Sequence, residues 1–142
     1  MNDTMRKFGY PASLIKEYGH WVVLVRRDQV TLGSLVLACK DEATAFSDIP
    51  AGAFGELQQV VRDVEASLRS CLAYDKINYL MLMMVDREVH FHVIPRYAGP
   101  RELAGLNVPD KGWPRRPDME APTPLTDEQV RDLRDALRRA WS

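Results

Sequence analysis

Two histidines and a glutamate alternate with apolar residues in one short segment of the chain. Glu88, His90 and His92 are each separated by a single residue, and Pro95 and Arg96 follow closely. Because successive side chains of a strand point to opposite faces, these three polar side chains would share one face of a strand. The protein has only three histidines, so two of them are concentrated here. This segment is the strongest candidate for a chemical site.

Three interpretations of the segment remain open on residue types alone. The three side chains can be half-exposed polar residues on the solvent face of a sheet. They can form a metal site, since His90 and His92 offer two nitrogens to zinc, with Glu88 and His20 as further candidate ligands. They can also act on phosphate, with an imidazole as nucleophile. An unperturbed imidazole has a pKa near 6.5, so about three-quarters of it is neutral and nucleophilic at pH 7.

The rest of the chain predicts a sheet that would carry this strand. Segments rich in β-branched, aromatic and aliphatic residues predict five strands. They cover residues 14–18, 20–26, 33–39, 77–84 and 88–97. Residues 85–87 are polar enough for a short turn, so the last two strands would form a hairpin.

Two helices complete the prediction. Apolar residues spaced three and four apart predict a long amphipathic helix from residue 53 to residue 74. Its predicted apolar face consists of Phe54, Leu57, Val61, Val64, Leu68 and Cys71. A second helix begins at Thr126, where Thr126 and Gln129 fit a capping box. Residues 1–12 are predicted to be a loosely held arm, and residues 106–142 an extended segment followed by the second helix. Residues 13–105 would form the main α+β domain.

Composition narrows the classes of function. The formal net charge of the 142 residues is −1, so no global positive field favours nucleic acid, and we expect no sequence-specific nucleic-acid partner. No run of about 18 apolar residues occurs, so we expect no membrane partner. Cys39 and Cys71 are the only cysteines, too few for a disulfide framework. With a polar N-terminal sequence, this predicts a soluble, reduced, cytoplasmic protein.

The histidine segment resembles the signature of the histidine triad (HIT) superfamily, which is His-x-His-x-His followed by two apolar residues and often Pro-Arg. Aligned on Pro95 and Arg96, the three triad positions fall on Glu88, His90 and His92. Blocks further upstream are also similar to bacterial members of the family. They are residues 21–26, 30–37 and 76–86, so the resemblance covers roughly residues 12–105.

This resemblance implies a five-stranded antiparallel sheet with one long helix and a C-terminal helix, usually in a homodimer. It also implies cleavage or transfer of a nucleotide, or of a nucleotide-derived small molecule, at the α-phosphate. His90 would attack phosphorus and carry the nucleotide as a phosphoramidate, and His92 would bind and orient the phosphate. Glu88, at the first triad position, would be the third catalytic residue. No cofactor and no metal are expected for this chemistry.

The resemblance also places candidate substrate-binding residues around the histidines. They are Arg26, Arg27, Ser34, Asn78, Arg87 and Arg96. The first triad position departs from the family pattern, because Glu88 stands where a histidine is usual. An ionised carboxylate accepts hydrogen bonds but cannot donate them, and it favours the charged form of a nearby imidazole. The alternative hypothesis is therefore a nucleotide-binding module with weak or no catalytic activity.

Overall fold

Five antiparallel strands form the central sheet in a computed structural model that describes residues 1–141. In chain order the strands are β1 (Leu14–Glu17), β2 (Trp21–Val25), β3 (Asp28–Gln29), β4 (Leu35–Cys39), β5 (Lys76–Leu80), β6 (His90–Arg96) and β7 (Thr123–Pro124). The central sheet has the order β1-β2-β4-β6-β5, and β3 pairs with β7 in a separate two-stranded ribbon. The predicted α+β architecture with a five-stranded antiparallel sheet is confirmed. Strand β6, which carries both histidines, has a neighbouring strand on each side.

Three α-helices pack around this sheet. They are α1 (Asp3–Lys7), α2 (Ala51–Leu72) and α3 (Asp127–Ala140). The predicted capping box is present, because the Gln129 backbone N–H donates to Thr126 Oγ1 at 3.2 Å and the Thr126 N–H donates to Gln129 Oε1 at 2.9 Å. These two bonds satisfy donors that have no partner inside the helix. No helix in the described part of the chain is long and apolar enough to cross a membrane.

The buried face of α2 includes Val64 and Leu68 of the predicted face but differs from it at other positions. Ala53, Val60, Val64 and Leu68 are fully buried, whereas Phe54 is 43% exposed. The apolar face of this helix is wider than the surface that packs on the sheet. Periodicity alone therefore does not show which of its apolar residues are buried. The flanking residues of this face remain partly exposed.

The two faces of the sheet are covered by different helices. One face of β2 packs into the main core with α2 and α3, and the Trp21 indole N–H donates to the Ala53 carbonyl of α2 at 2.8 Å. The opposite face forms a smaller apolar cluster with Met5 of α1. The sheet residues of this cluster are Val22, Leu24, Val36 and Ala38. The histidines of β6 lie on this second face, because His90 pairs with Ala38 and His92 pairs with Val36.

The connection between β5 and β6 is longer than the predicted turn at residues 85–87. Strand β5 ends at Leu80, which pairs with His92, and residues 81–89 lie outside both strands. Val89 forms its backbone hydrogen bonds with residues outside β5. Its N–H donates to the Ala43 carbonyl at 3.1 Å, and its carbonyl accepts from the Cys39 N–H at 3.0 Å. The apolar sequence of residues 81–84 is typical of a strand. The hydrogen bonds of Val89 to Ala43 and Cys39 nevertheless end the pairing of β5 with β6 at Leu80.

Candidate functional site

His90 and His92 lie side by side on β6, on the sheet face that carries α1. Their ring centroids are 5.1 Å apart and the rings are nearly perpendicular, at 85°. Phe91 between them points to the opposite face and packs against Trp21, with ring centroids 6.2 Å apart. The opposing residues on β4 are the small Ala38 and Val36, which leave room for two imidazoles on this face.

The tautomer of His90 follows from one backbone contact. Its Nδ1 lies 2.7 Å from the carbonyl oxygen of Glu88. Because a carbonyl oxygen can only accept, Nδ1 carries the hydrogen and donates it. In the neutral ring this leaves Nε2 with a free lone pair, which is the form that a nucleophilic imidazole needs. The main chain at position 88 supplies this contact, so it does not depend on the side chain there.

His92 is held neutral by its surroundings. Burial, the positive charge of Arg26 and the neighbouring His90 lower the pKa of His92 to about 4. Arg26 Nε donates to His92 Nδ1 at 3.4 Å. Since Nδ1 accepts, the hydrogen of the neutral ring is on Nε2, and this N–H is a donor. His92 therefore suits the binding of a phosphate oxygen better than it suits proton uptake.

A cavity of about 460 Å³ opens beside His92. This is within the size range of small-molecule sites. Its wall includes three cationic side chains, two carboxylates, an aromatic ring and one imidazole. These are Lys7, Arg26, Arg27, Asp28, Asp86, Phe8 and His92. The cations outnumber the acids, so the cavity suits an anionic ligand. His90 is not part of this wall, and its side chain is only 1% exposed.

Glu88 does not continue the histidine row as predicted. Strand β6 begins at His90, so the alternation that would align Glu88 with the imidazoles stops before it. Its carboxylate oxygen Oε1 instead accepts from Thr4, at 3.1 Å from the backbone nitrogen and 2.7 Å from Oγ1. The Glu88 side chain therefore binds α1. It is not placed beside the imidazoles, where the catalytic role predicted from the sequence would need it.

Helix α1 contributes residues to the site that sequence analysis missed. Residues 1–12 were predicted to be loosely held, but Thr4 and Met5 are buried and Phe8 contacts both histidines. A local signal existed, because Asn2 is a favourable N-cap residue and its side chain accepts from the Met5 backbone N–H. No periodicity in so short a helix indicates which surface it covers.

Three of the predicted binding residues have structural roles away from the cavity. Ser34 is fully buried in a turn, where its hydroxyl donates to the Thr31 carbonyl at 2.7 Å. Arg96 is 3% exposed and pairs with the carboxylate of Asp110, with Nε and Oδ2 2.8 Å apart. Asn78 accepts from the same guanidinium at 2.8 Å. Burial of a charged group requires such partners, so these residues stabilise the fold.

The other predicted arginines are divided between two locations. Arg26 and Arg27 both line the cavity beside His92. Arg27 also donates to the Leu125 carbonyl at 3.1 Å and pairs with Asp127 at the start of α3. Arg87 is exposed and borders a different hollow, next to Glu88 and the N-terminal residues. Only the arginines that follow β2 are therefore placed to meet a ligand at His92.

In the described residues, the candidate zinc ligands are not brought together around His90 and His92. Within residues 1–141, no group of three or more His, Cys, Asp or Glu side chains is gathered closely enough to hold an ion. The carboxylate of Glu88, the proposed third ligand, accepts from Thr4. His20 lies elsewhere, with Nδ1 3.7 Å from Asp41.

Comparison with solved structures gives the fold a name. A histidine triad protein from Bradyrhizobium japonicum is 21% identical with a TM-score of 0.74, and the match covers 100% of this chain and 97% of that chain. A histidine triad (HIT) protein from Sinorhizobium meliloti is 20% identical with a TM-score of 0.75, covering 98% and 94%. A hypothetical histidine triad nucleotide-binding protein from Sulfolobus tokodaii is 18% identical with a TM-score of 0.68, covering 90% and 82%. No protein-family model and no curated protein matches the sequence. The chain has the fold of the histidine triad proteins.

Proposed function

We propose that this protein is a nucleotide-binding hydrolase or nucleotidyl transferase that acts at the α-phosphate through His90. The observation that carries the proposal is the hydrogen bond from His90 Nδ1 to the Glu88 carbonyl, which leaves Nε2 as a nucleophile. The neighbouring His92, whose ring centroid is 5.1 Å from that of His90, lines a cavity together with Arg26 and Lys7. A nucleophile beside a cationic cavity is the combination that phosphate transfer requires.

The reaction has two displacements. His90 Nε2 attacks the α-phosphorus, a nitrogen–phosphorus bond forms, and the bond to the leaving atom breaks with its electron pair going to that atom. The leaving atom is oxygen in a phosphoanhydride or phosphoester and nitrogen in a phosphoramidate, and it takes up a proton from solvent. The Nδ1 hydrogen bond to the Glu88 carbonyl stabilises the positive charge that develops on the ring. Water then attacks phosphorus, the nitrogen–phosphorus bond breaks, and the imidazole regains its lone pair while a proton of the water passes to solvent. The Nε2–H of His92 and the guanidinium of Arg26 are donors for the phosphate oxygens.

The test uses dinucleoside polyphosphates and nucleoside phosphoramidates as substrates. We expect the parent protein to turn over at least one of them and His90→Ala to abolish turnover. His20→Ala is the matched control, because it removes the one histidine outside the site and should retain parental activity. Absence of turnover with every substrate, with His90→Ala indistinguishable from the parent, would remove the enzymatic proposal.

A nucleotide-binding module without catalytic activity is the second candidate. It is favoured by the 1% exposure of His90, which leaves no open path to Nε2, and by the glutamate at the first triad position. Calorimetry with AMP and GMP, combined with the turnover assay, separates the two candidates, because a module binds a nucleotide without turning over any substrate. Arg26→Ala should weaken binding in either case, since Arg26 lines the cavity and contacts His92.

We also propose that two copies associate through strand β5. This strand is at the edge of the sheet, and its outer side has no neighbouring strand in the described chain. The loop that follows exposes Leu82, Met84 and Val85, at 52%, 85% and 80%. Free strand edges and exposed apolar side chains favour pairing with another chain. Light scattering that gives the mass of one chain at all concentrations would contradict this association.

A further inference from the structure

The N-terminal residues form a cover over the proposed nucleophile. The ring centroid of Phe8 lies 5.8 Å from that of His90 and 5.6 Å from that of His92. Met5, one turn earlier, is 2% exposed and packs on the sheet face that carries both histidines. The 1% exposure of His90 thus coincides with the packing of residues 1–8 against its face. We call residues 1–8 the N-terminal lid.

Three residues of the N-terminal lid, Asn2, Thr4 and Lys7, make polar contacts with the domain through their side chains. Thr4 donates to the Glu88 carboxylate through both its backbone nitrogen and its hydroxyl, at 3.1 and 2.7 Å. The Asn2 side-chain amide donates to the Cys39 carbonyl at 2.9 Å, and Lys7 pairs with Asp86 at 2.9 Å. Only the Thr4 contact involves a residue of the triad sequence. Glu88 therefore connects the N-terminal lid to the chain segment that carries His90.

The covered state cannot carry out the proposed chemistry. In-line attack needs phosphorus within about 3–3.5 Å of the nucleophile, and no phosphate can approach a ring that is 1% exposed. Helix α1 has only five residues, far below the roughly 12–15 that an isolated helix needs to be even marginally stable. It is therefore held by its contacts with the domain, and loss of those contacts would release it.

We infer that residues 1–8 are a lid that closes the site, and that Glu88 is the residue that latches it through Thr4. The inference rests on the proposed function in one respect, namely that His90 is the nucleophile that the lid shields. It assigns Glu88 a positioning role, acting through Thr4 rather than on the phosphate. Opening would expose His90 and enlarge the cavity that Lys7 and Phe8 now border.

Chemical modification of the imidazoles tests the lid without any substrate. Diethyl pyrocarbonate labels accessible histidines, and mass spectrometry gives the rate at each ring, with His20 as the internal reference. We expect slow labelling of His90 in the parent protein. Glu88→Ala should raise the rate at His90 by at least about tenfold, since it removes hydrogen bonds to a charged acceptor. The rate at His20 should not change.

Matched variants separate the latch from general loosening. Glu88→Gln keeps an oxygen that can accept from Thr4, so its labelling rate should stay close to that of the parent. Thr4→Val removes only the hydroxyl donor and should accelerate labelling of His90. If circular dichroism shows that Glu88→Ala does not fold, Thr4→Val takes its place in the test. Thr123→Val makes the same chemical change in β7 and should have no effect. Rapid labelling of His90 in the parent, or no acceleration in Glu88→Ala and Thr4→Val, would overturn the latch.

Turnover of the same variants distinguishes failure of the lid from failure of the proposed function. If Glu88 only latches the lid, Glu88→Gln should have parental activity and Glu88→Ala a lower KM. If Glu88 transfers a proton, both variants should lose activity together by about 10²-fold or more, which would overturn the positioning role. If labelling follows the predictions but no variant turns over a nucleotide, the lid stands and the proposed enzymatic function fails.

Discussion

Protonation of His92 should destabilise the folded protein in mild acid. The pKa of this imidazole falls from 6.5 to about 4 on folding, first because the ring is buried and then because Arg26 and His90 disfavour a positive charge. Below pH 6.5 the unfolded chain binds the proton before the folded protein does, so stability falls as the pH falls. The loss is complete once the pH is below the folded pKa. At about 1.4 kcal/mol per pKa unit, the total is about 3 kcal/mol.

Urea unfolding between pH 7 and pH 4 measures this effect. Carboxylates add their own pH dependence, so the informative quantity is the difference between the parent protein and His92→Gln. Glutamine has no proton to gain in this range and is similar in size to histidine. The free energy of unfolding of the parent should fall by about 3 kcal/mol more than that of His92→Gln over this range. Thr123→Val, an uncharged change in β7, should keep the parental slope.

Two results would refute this reasoning about His92. One is an identical pH dependence in the parent and in His92→Gln. The other is a nuclear magnetic resonance titration of the His92 ring with a midpoint near 6.5 in the folded protein. Either result would mean that the imidazole is solvated in solution. A solvated ring would also weaken its assignment as a neutral donor for phosphate.

Four further substitutions test other parts of the structure. Asp110→Asn leaves the Arg96 guanidinium buried without its counter-charge, so urea unfolding should show a loss of about 3 kcal/mol. Gly33→Ala places a methyl group 2.6 Å from a leucine carbon of α2 at a φ of +89°, and should cost more than about 1 kcal/mol. Gly55 lies in α2, and a methyl group added there meets nothing within 4 Å. Gly55→Ala should therefore raise the free energy of unfolding by up to about 1 kcal/mol. Met84→Lys should shift light scattering to the mass of one chain, and an unchanged mass would exclude this loop from the interface.

Features that depend on neighbours in sequence could be predicted from the residues alone. The presence of five strands in the central sheet, the existence of α2 and the capping box at Thr126 all follow from local periodicity and local hydrogen bonding. The separation of His90 and His92 from Phe91 follows from the alternation of side chains along a strand. These properties are set by backbone geometry over a few residues, so distant parts of the chain do not alter them.

Features that depend on distant partners could not be predicted in the same way. Glu88 and Thr4 are 84 positions apart, and the sequence pattern at Glu88 indicates only a polar residue near a strand. Arg96 is a residue type that suits phosphate, but its burial against Asp110, 14 positions further along the chain, uses its hydrogen bonds for the fold. The burial of His90 is likewise set by long-range packing of the N-terminal lid. Sequence therefore determines which chemical groups share one face of the sheet, whereas tertiary packing decides which of them a ligand can reach.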